Sequence, residues 1–149
     1  MPLYHFTDCR NIKSIHKHGL LSWKQLRRKG IESIPASDTF SRNRDHRNNL
    51  QNFIHLCLTA QHSMTDRAIN EKRIESIIWF KIDDSVIERK TTLFCNQNST
   101  ANAAYWDDNP KTAFDSKLIN AEVLVEESIA PDLIFNFTLF IENPILKSR

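Results

Sequence analysis

The amino-acid sequence predicts an α+β domain with a mainly antiparallel sheet, flanked by short helices and broken by long polar loops. Three observations carry that expectation. Strand-like apolar runs recur from Phe53 onward, the first half divides into short pieces, and the chain holds only two glycines. The Gly-x-Gly pattern is missing, which argues against a dinucleotide fold built on a glycine-rich phosphate loop.

Each element has a local reason. Leu3–Phe6 is an apolar-aromatic run that reads as a strand, and Asp8 can cap a helix after it. Ile12, Ile15 and His16 recur at helical spacing before Gly19, placed as a C-terminal stop. Ser22 and Gln25 form a capping box for a short basic helix through Lys29, ended by Gly30. From Ser33 to Asn52 the chain is polar and without period, a long loop of the kind that tends to be functional. Phe53–Leu58 reads as a strand, Ser63–Lys72 as a polar helix, and Ser76–Ile82 as an apolar strand fit for the middle of a sheet. Thr91–Phe94 is a further β-prone piece, and Asn96–Asn120 is polar around Tyr105, Trp106 and Pro110. Ala121–Val125 and Phe135–Ile141 supply two late strands with a turn near Pro131.

Composition limits the class. At 149 residues the chain is expected to be one domain, residues 1–149, able to bury roughly two-thirds of its unfolded surface without disulfide staples. With 40% hydrophobic and 26% charged residues it is globular rather than disordered. Its apolar runs are too short to span a bilayer, and the Pro2-Leu3-Tyr4 opening lacks a secretory pattern, so a cytoplasmic protein is expected. Cys9, Cys57 and Cys95 are odd in number, widely spaced and without a zinc-site pattern, which points to reduced thiols and no metal. Cys9 beside Arg10 is the one thiol with a charged neighbour.

The formal charge of +2 conceals an asymmetry. Between Cys9 and Arg47 ten Lys or Arg stand against three acids, whereas the remainder from Asn48 is net acidic. Such a field attracts polyanions, either nucleic acid or a phosphate-bearing cofactor, although a solvated helix face has the same composition.

Four features can carry chemistry, and each has a plain structural alternative. His5 sits in an alternating strand, where a lone histidine often serves packing. Arg42, Arg44 and Arg47 can clamp phosphate oxygens in bidentate fashion, or simply solvate their loop. Glu122 interrupts an otherwise apolar run, Ala121–Val125, so its carboxylate must face solvent or line a cleft. The asparagine-rich loop after Cys95 offers amides and aromatic faces suited to base contacts.

Together these strings resemble a known family. Tyr4-His5-Phe6-Thr7, Asn11, His18–Ser22, Asn43-Arg44-Asp45, Phe94-Cys95 with Asn98, and Ala121–Val125 occur in the order found in DarT-type DNA ADP-ribosyltransferase toxins. The similarity runs from about Leu3 to Ile134 and looks closest to the shorter, guanine-modifying branch. It implies an ADP-ribosyltransferase split sheet with a cleft for NAD, the substrate. It also implies Arg44 and Glu122 as catalytic residues, and His5, Thr7, Asn11, Gly19 and Leu20 as cofactor contacts. Arg42 is the alternative arginine in another register, and Thr65 and Asp66 follow Met64 where relatives carry an aromatic residue.

The implied reaction breaks the nicotinamide–ribose bond and passes ADP-ribose to a nucleobase of single-stranded DNA. A carboxylate stabilises the oxocarbenium-like sugar and can accept the nucleophile's proton. A base inside a duplex cannot reach such a cleft, so the acceptor is single-stranded or flipped, with the Asp107–Asn120 loop and Tyr105 or Trp106 against it. The same resemblance implies a macrodomain antitoxin (DarG-like) as partner. The alternatives are RNA or protein as acceptor, or a non-catalytic nucleic-acid-binding module.

Overall fold

Leu3–Asp8 forms β1, whose backbone runs through the interior of a seven-stranded sheet. The structure is a computed structural model and describes residues 2–35, 50–59, 70–71, 76–96, 106–109 and 121–142. A single 3-10 turn, Cys9–Asn11, leads into α1 (Ile12–His18). Asp8 is fully buried, and its carboxylate accepts the Arg10 backbone N–H at 2.8 Å and the guanidinium at 2.9 and 3.0 Å, which offsets the cost of burying charge.

Gly19 closes α1 with its N–H donating to the Ile15 carbonyl at 2.7 Å. Its φ of +77° lies where side chains strain, and a Cβ there would collide with the Ile129 carbonyl oxygen. β2 (Leu20–Leu21) follows, then α2 (Trp23–Lys29). The Ser22 hydroxyl accepts the Gln25 N–H at 3.2 Å as the spacing predicts. Gly30 ends α2 in a left-handed conformation, with the Ile31 and Gly30 N–H groups turned back to the Leu26 and Arg27 carbonyls.

The remaining strands are β3 (Phe53–Cys57), β4 (Ser76–Ile82), β5 (Leu93–Cys95), β6 (Trp106–Asp107), β7 (Glu122–Glu126), β8 (Ser128–Ile129) and β9 (Ile134–Glu142). The large sheet runs β6-β5-β7-β3-β1-β4-β9, and β2 pairs separately with β8; every described pairing is antiparallel. Leu3, Ile54, Leu56, Phe80, Ile82, Phe94, Val123 and Val125 form the core, with Ile15 from α1 and Val86 from a 3-10 turn at Asp84–Glu88 packed into it.

The two seams of β1 differ sharply. Against β4 the ladder holds six pairs, from Leu3 opposite Ile82 to Asp8 opposite Ile77. Against β3 it holds one, Tyr4 opposite Cys57. This split divides the sheet into β3-β7-β5-β6 and β1-β4-β9.

Some expectations shift by a residue or two. The piece expected at Thr91–Phe94 is Leu93–Cys95, because the Thr92 hydroxyl donates to the Val86 carbonyl at 2.7 Å and closes the preceding turn instead. Trp106, read as part of a loop, begins β6 because Cys95 offers a ladder partner. The polar helix expected at 63–72 lies outside the described residues apart from Asn70 and Glu71, as does 36–49 of the long loop.

Candidate active site

Glu122 opens β7 between two cysteines, since Cys57 on β3 and Cys95 on β5 are its ladder partners on either side. The row continues outward to Tyr4 beyond Cys57 and to Trp106 beyond Cys95. Cross-strand partners share a face, so the sheet itself delivers the carboxylate and both thiols to one side. Glu122 is only 5% exposed, and burying a carboxylate is costly unless something donates to it. His55 does so, with Nδ1 at 3.3 Å from Glu122 Oε1. The imidazole stands one pleat along β3 from Cys57, diagonal to the carboxylate. Burial, reinforced by the Glu122 charge, pushes the Cys57 thiol well above its ordinary range, so it stays protonated and leaves the negative charge on the carboxylate.

His5 lies across the open seam. Its Nδ1–H donates to the His55 carbonyl at 3.1 Å, a side chain bridging strands that have otherwise parted. Burial lowers its pKa to about 4, with the nearby His55 adding to the fall while the backbone bond and the Glu122 charge oppose it. At neutral pH His5 is therefore uncharged, with Nε2 as an acceptor.

Two residues along β1, buried Thr7 accepts from Asn11 Nδ2 at 2.9 Å. The same amide donates to the Ile34 carbonyl and its Oδ1 accepts the Ile34 N–H, each at 2.9 Å. Asn11 thus fixes the chain just before residues 36–49.

The structure brings His5 and Glu122 together around His55, with Thr7 and Asn11 further along the same strand and turn. Gly19 and Leu20 are accounted for by packing: Gly19 lies against Ile129 and Pro131, and Leu20 is buried in the core and paired with Ile129. Arg42, Arg44, Arg47, Met64, Asn98 and Tyr105 lie outside the described residues, as do 110–120 of the loop before Glu122. Cys9 is half-buried and in no disulfide. Sequence reasoning missed His55. Its signal was the alternation Phe53-Ile54-His55-Leu56-Cys57, which sets His55 in phase with Cys57, but the register onto Glu122 is a tertiary fact.

Residues 4–143 match the family described as "ssDNA thymidine ADP-ribosyltransferase, DarT". The chain belongs to the DarT family. A search of the curated proteins finds no match. Among solved structures, Thermosipho africanus DarTG in complex with ADP-ribose superimposes with a TM-score of 0.70 at 16% identity, over 89% of this chain and 42% of that one. Thermus sp. 2.9 DarT is similar in complex with ADP-ribosylated ssDNA (TM-score 0.64, 15% identity, 93% of this chain and 78% of that one). It is similar also in complex with NAD+ (TM-score 0.61, 17% identity, 89% and 78%). The present chain thus spans less than half of the DarTG chain and most of the Thermus DarT chain, and at these identities the likeness establishes the DarT fold. Among the described residues no group of three or more His, Cys, Asp or Glu could hold a metal ion, and no described helix is long and apolar enough to cross a membrane.

Proposed function

We propose that this DarT-family chain transfers ADP-ribose from NAD to a nucleobase of single-stranded DNA, releasing nicotinamide, with Glu122 as the catalytic carboxylate. The observation that carries the reading is the buried Glu122 side chain, flanked in the ladder by Cys57 and Cys95 and held by His55 beside the open seam of β1. In the reaction the bond between nicotinamide and ribose breaks and its electron pair leaves with neutral nicotinamide. The sugar carbon becomes cation-like, and a fixed negative charge lowers the energy of that state without reorganising at the moment of reaction. The base nucleophile then bonds to the sugar carbon, and its proton passes to the Glu122 carboxylate, a transfer worth roughly 10² to 10⁴ in rate.

His5, neutral and with an acceptor at Nε2, suits a hydroxyl or amide donor of the dinucleotide, and Thr7 and Asn11 are assigned to the same wall. Arg44 is assigned to the pyrophosphate or the incoming base, with Arg42 as the alternative. Gly19 and Leu20 would shape this wall through the backbone. The whole of 1–149 is read as one ADP-ribosyltransferase domain acting in the cytoplasm.

The family description names thymidine, while the residue-level resemblance favours the guanine-modifying branch. The acceptor base is tested directly with oligonucleotides containing thymine or guanine as the sole candidate, beside RNA and protein arms, each read by mass spectrometry after incubation with labelled NAD. The DarTG neighbour supports a partner of antitoxin type for this chain, a macrodomain that removes the modification. For the reaction itself, Glu122→Gln is expected to lower transfer to single-stranded DNA at least ~10²-fold while keeping the fold. Transfer at the wild-type rate in that variant overturns the assignment, and DNA binding that persists with no nicotinamide released by the wild type would favour a non-catalytic module.

A further inference from the structure

We infer that His55 is the positioning residue for Glu122: its Nδ1–H holds Oε1, so that the second carboxylate oxygen is turned toward the sugar. The inference rests on the reading of Glu122 given above and adds a residue to it.

The geometry comes from both ends of His55. Its ring reaches Glu122 Oε1 at 3.3 Å, and its backbone carbonyl accepts from His5 Nδ1 at 3.1 Å, so the strand carrying the imidazole is tied to β1 at the residue where the two would otherwise separate. The five-pair ladder between β3 and β7 fixes the register that puts the ring diagonal to the carboxylate. A glutamate side chain has three rotatable bonds, and an oxygen held by a neutral N–H loses much of that freedom before the ligand arrives. Neutrality matters as much as reach. An imidazolium would cancel the negative charge on which the cation-like sugar depends, whereas the Nδ1–H tautomer orients the carboxylate and leaves its charge in place.

The ring is 24% exposed at its side chain, but its Nε2 is buried, and Nδ1 is the nitrogen turned to Glu122. Among the described residues, the titratable groups around this pair are Tyr4 and His5 from β1, Cys57 from β3 and Cys95 from β5. His5 gains its proton only near pH 4 and the Cys57 thiol keeps its own far above neutrality. An imidazolium at position 55 would oppose the carboxylate's charge, so any acid limb in the turnover rate that stems from this ring is expected to vanish when position 55 carries no imidazole.

The test compares His55→Ala with His55→Asn, whose amide places a non-titrating donor near the Nδ1 position. In transfer from NAD to a single-stranded oligonucleotide, His55→Ala is expected to lower kcat about 10- to 100-fold with little change in KM for NAD. His55→Asn should restore most of the rate and abolish the acid limb. A wild-type kcat in His55→Ala, or an Asn variant no better than the Ala one, overturns the proposal. A second measurement needs no turnover: the 15N resonances of the His55 ring should report the Nδ1–H tautomer, and its pKa should fall in Glu122→Gln, which removes the charge that favours the imidazolium. An unmoved resonance overturns the contact itself. Failure of the parent reading looks different, because then Glu122→Gln retains transfer; an inactive Glu122→Gln beside a fully active His55→Ala removes only the role of His55.

Discussion

β1 is held on its two sides by very different means. Toward β4 six successive pairs and the fully buried Trp79 and Phe80 make a continuous packed seam. Toward β3 one pair remains, and a histidine side chain reaches across to the opposing carbonyl. A sheet gains stability from an unbroken ladder, yet a ligand can enter only where the ladder stops. The packed seam and the candidate site thus lie on opposite edges of one strand, which separates what mutations on each side should do.

The largest effect is expected on the paired seam. Trp79 faces Phe6 with ring centroids 5.1 Å apart, and Trp79→Ala should cost about 3–5 kcal/mol in urea unfolding. A loss below about 1 kcal/mol would show that the fold is not anchored there. His5 gives a smaller effect that depends on pH. The folded protein holds it near pKa 4 against 6.5 for the ordinary side chain, so as pH falls through 6.5 the unfolded chain takes up the proton first. Stability is then full above about pH 6.5 and declines toward pH 4, by up to about 1.4 kcal/mol per unit. His5→Asn keeps a neutral donor without titrating and should flatten that slope in denaturation midpoints measured across the window; an unchanged slope would assign the acid sensitivity elsewhere. The smallest effect is expected at Thr7→Val, which deletes the acceptor for Asn11 Nδ2 while the bonds to Ile34 persist. A cost of about 1 kcal/mol is expected in the urea midpoint, and a cost several times larger would mean that the hydroxyl, rather than the Ile34 clamp, holds the turn.

Much of the frame was legible. The alternation in Leu3–Phe6, the apolar run at Ser76–Ile82, the cap at Ser22 and the stops at Gly19 and Gly30 all express local rules, and the structure keeps them. Gly19 shows the limit of such reading, because its stop is also enforced by Ile129, a residue remote in sequence. The pairing of Leu20–Leu21 with Ser128–Ile129 was not legible for the same reason: two-residue strands have no period. In the candidate site, Glu122 stood out because a carboxylate in an apolar run calls for a cause. His55 did not, because a histidine alternating with Ile54 and Leu56 looks like the solvent side of a strand until register sets it against Glu122.

Bare backbone at position 19 couples two distant stretches of the chain. A side chain there would run into the Ile129 carbonyl just before the bend at Ala130 and Pro131, so only a glycine leaves these two stretches in place. A lineage that placed any side chain there would have to pry Leu20 away from its partner, and the two stretches can therefore drift only in concert.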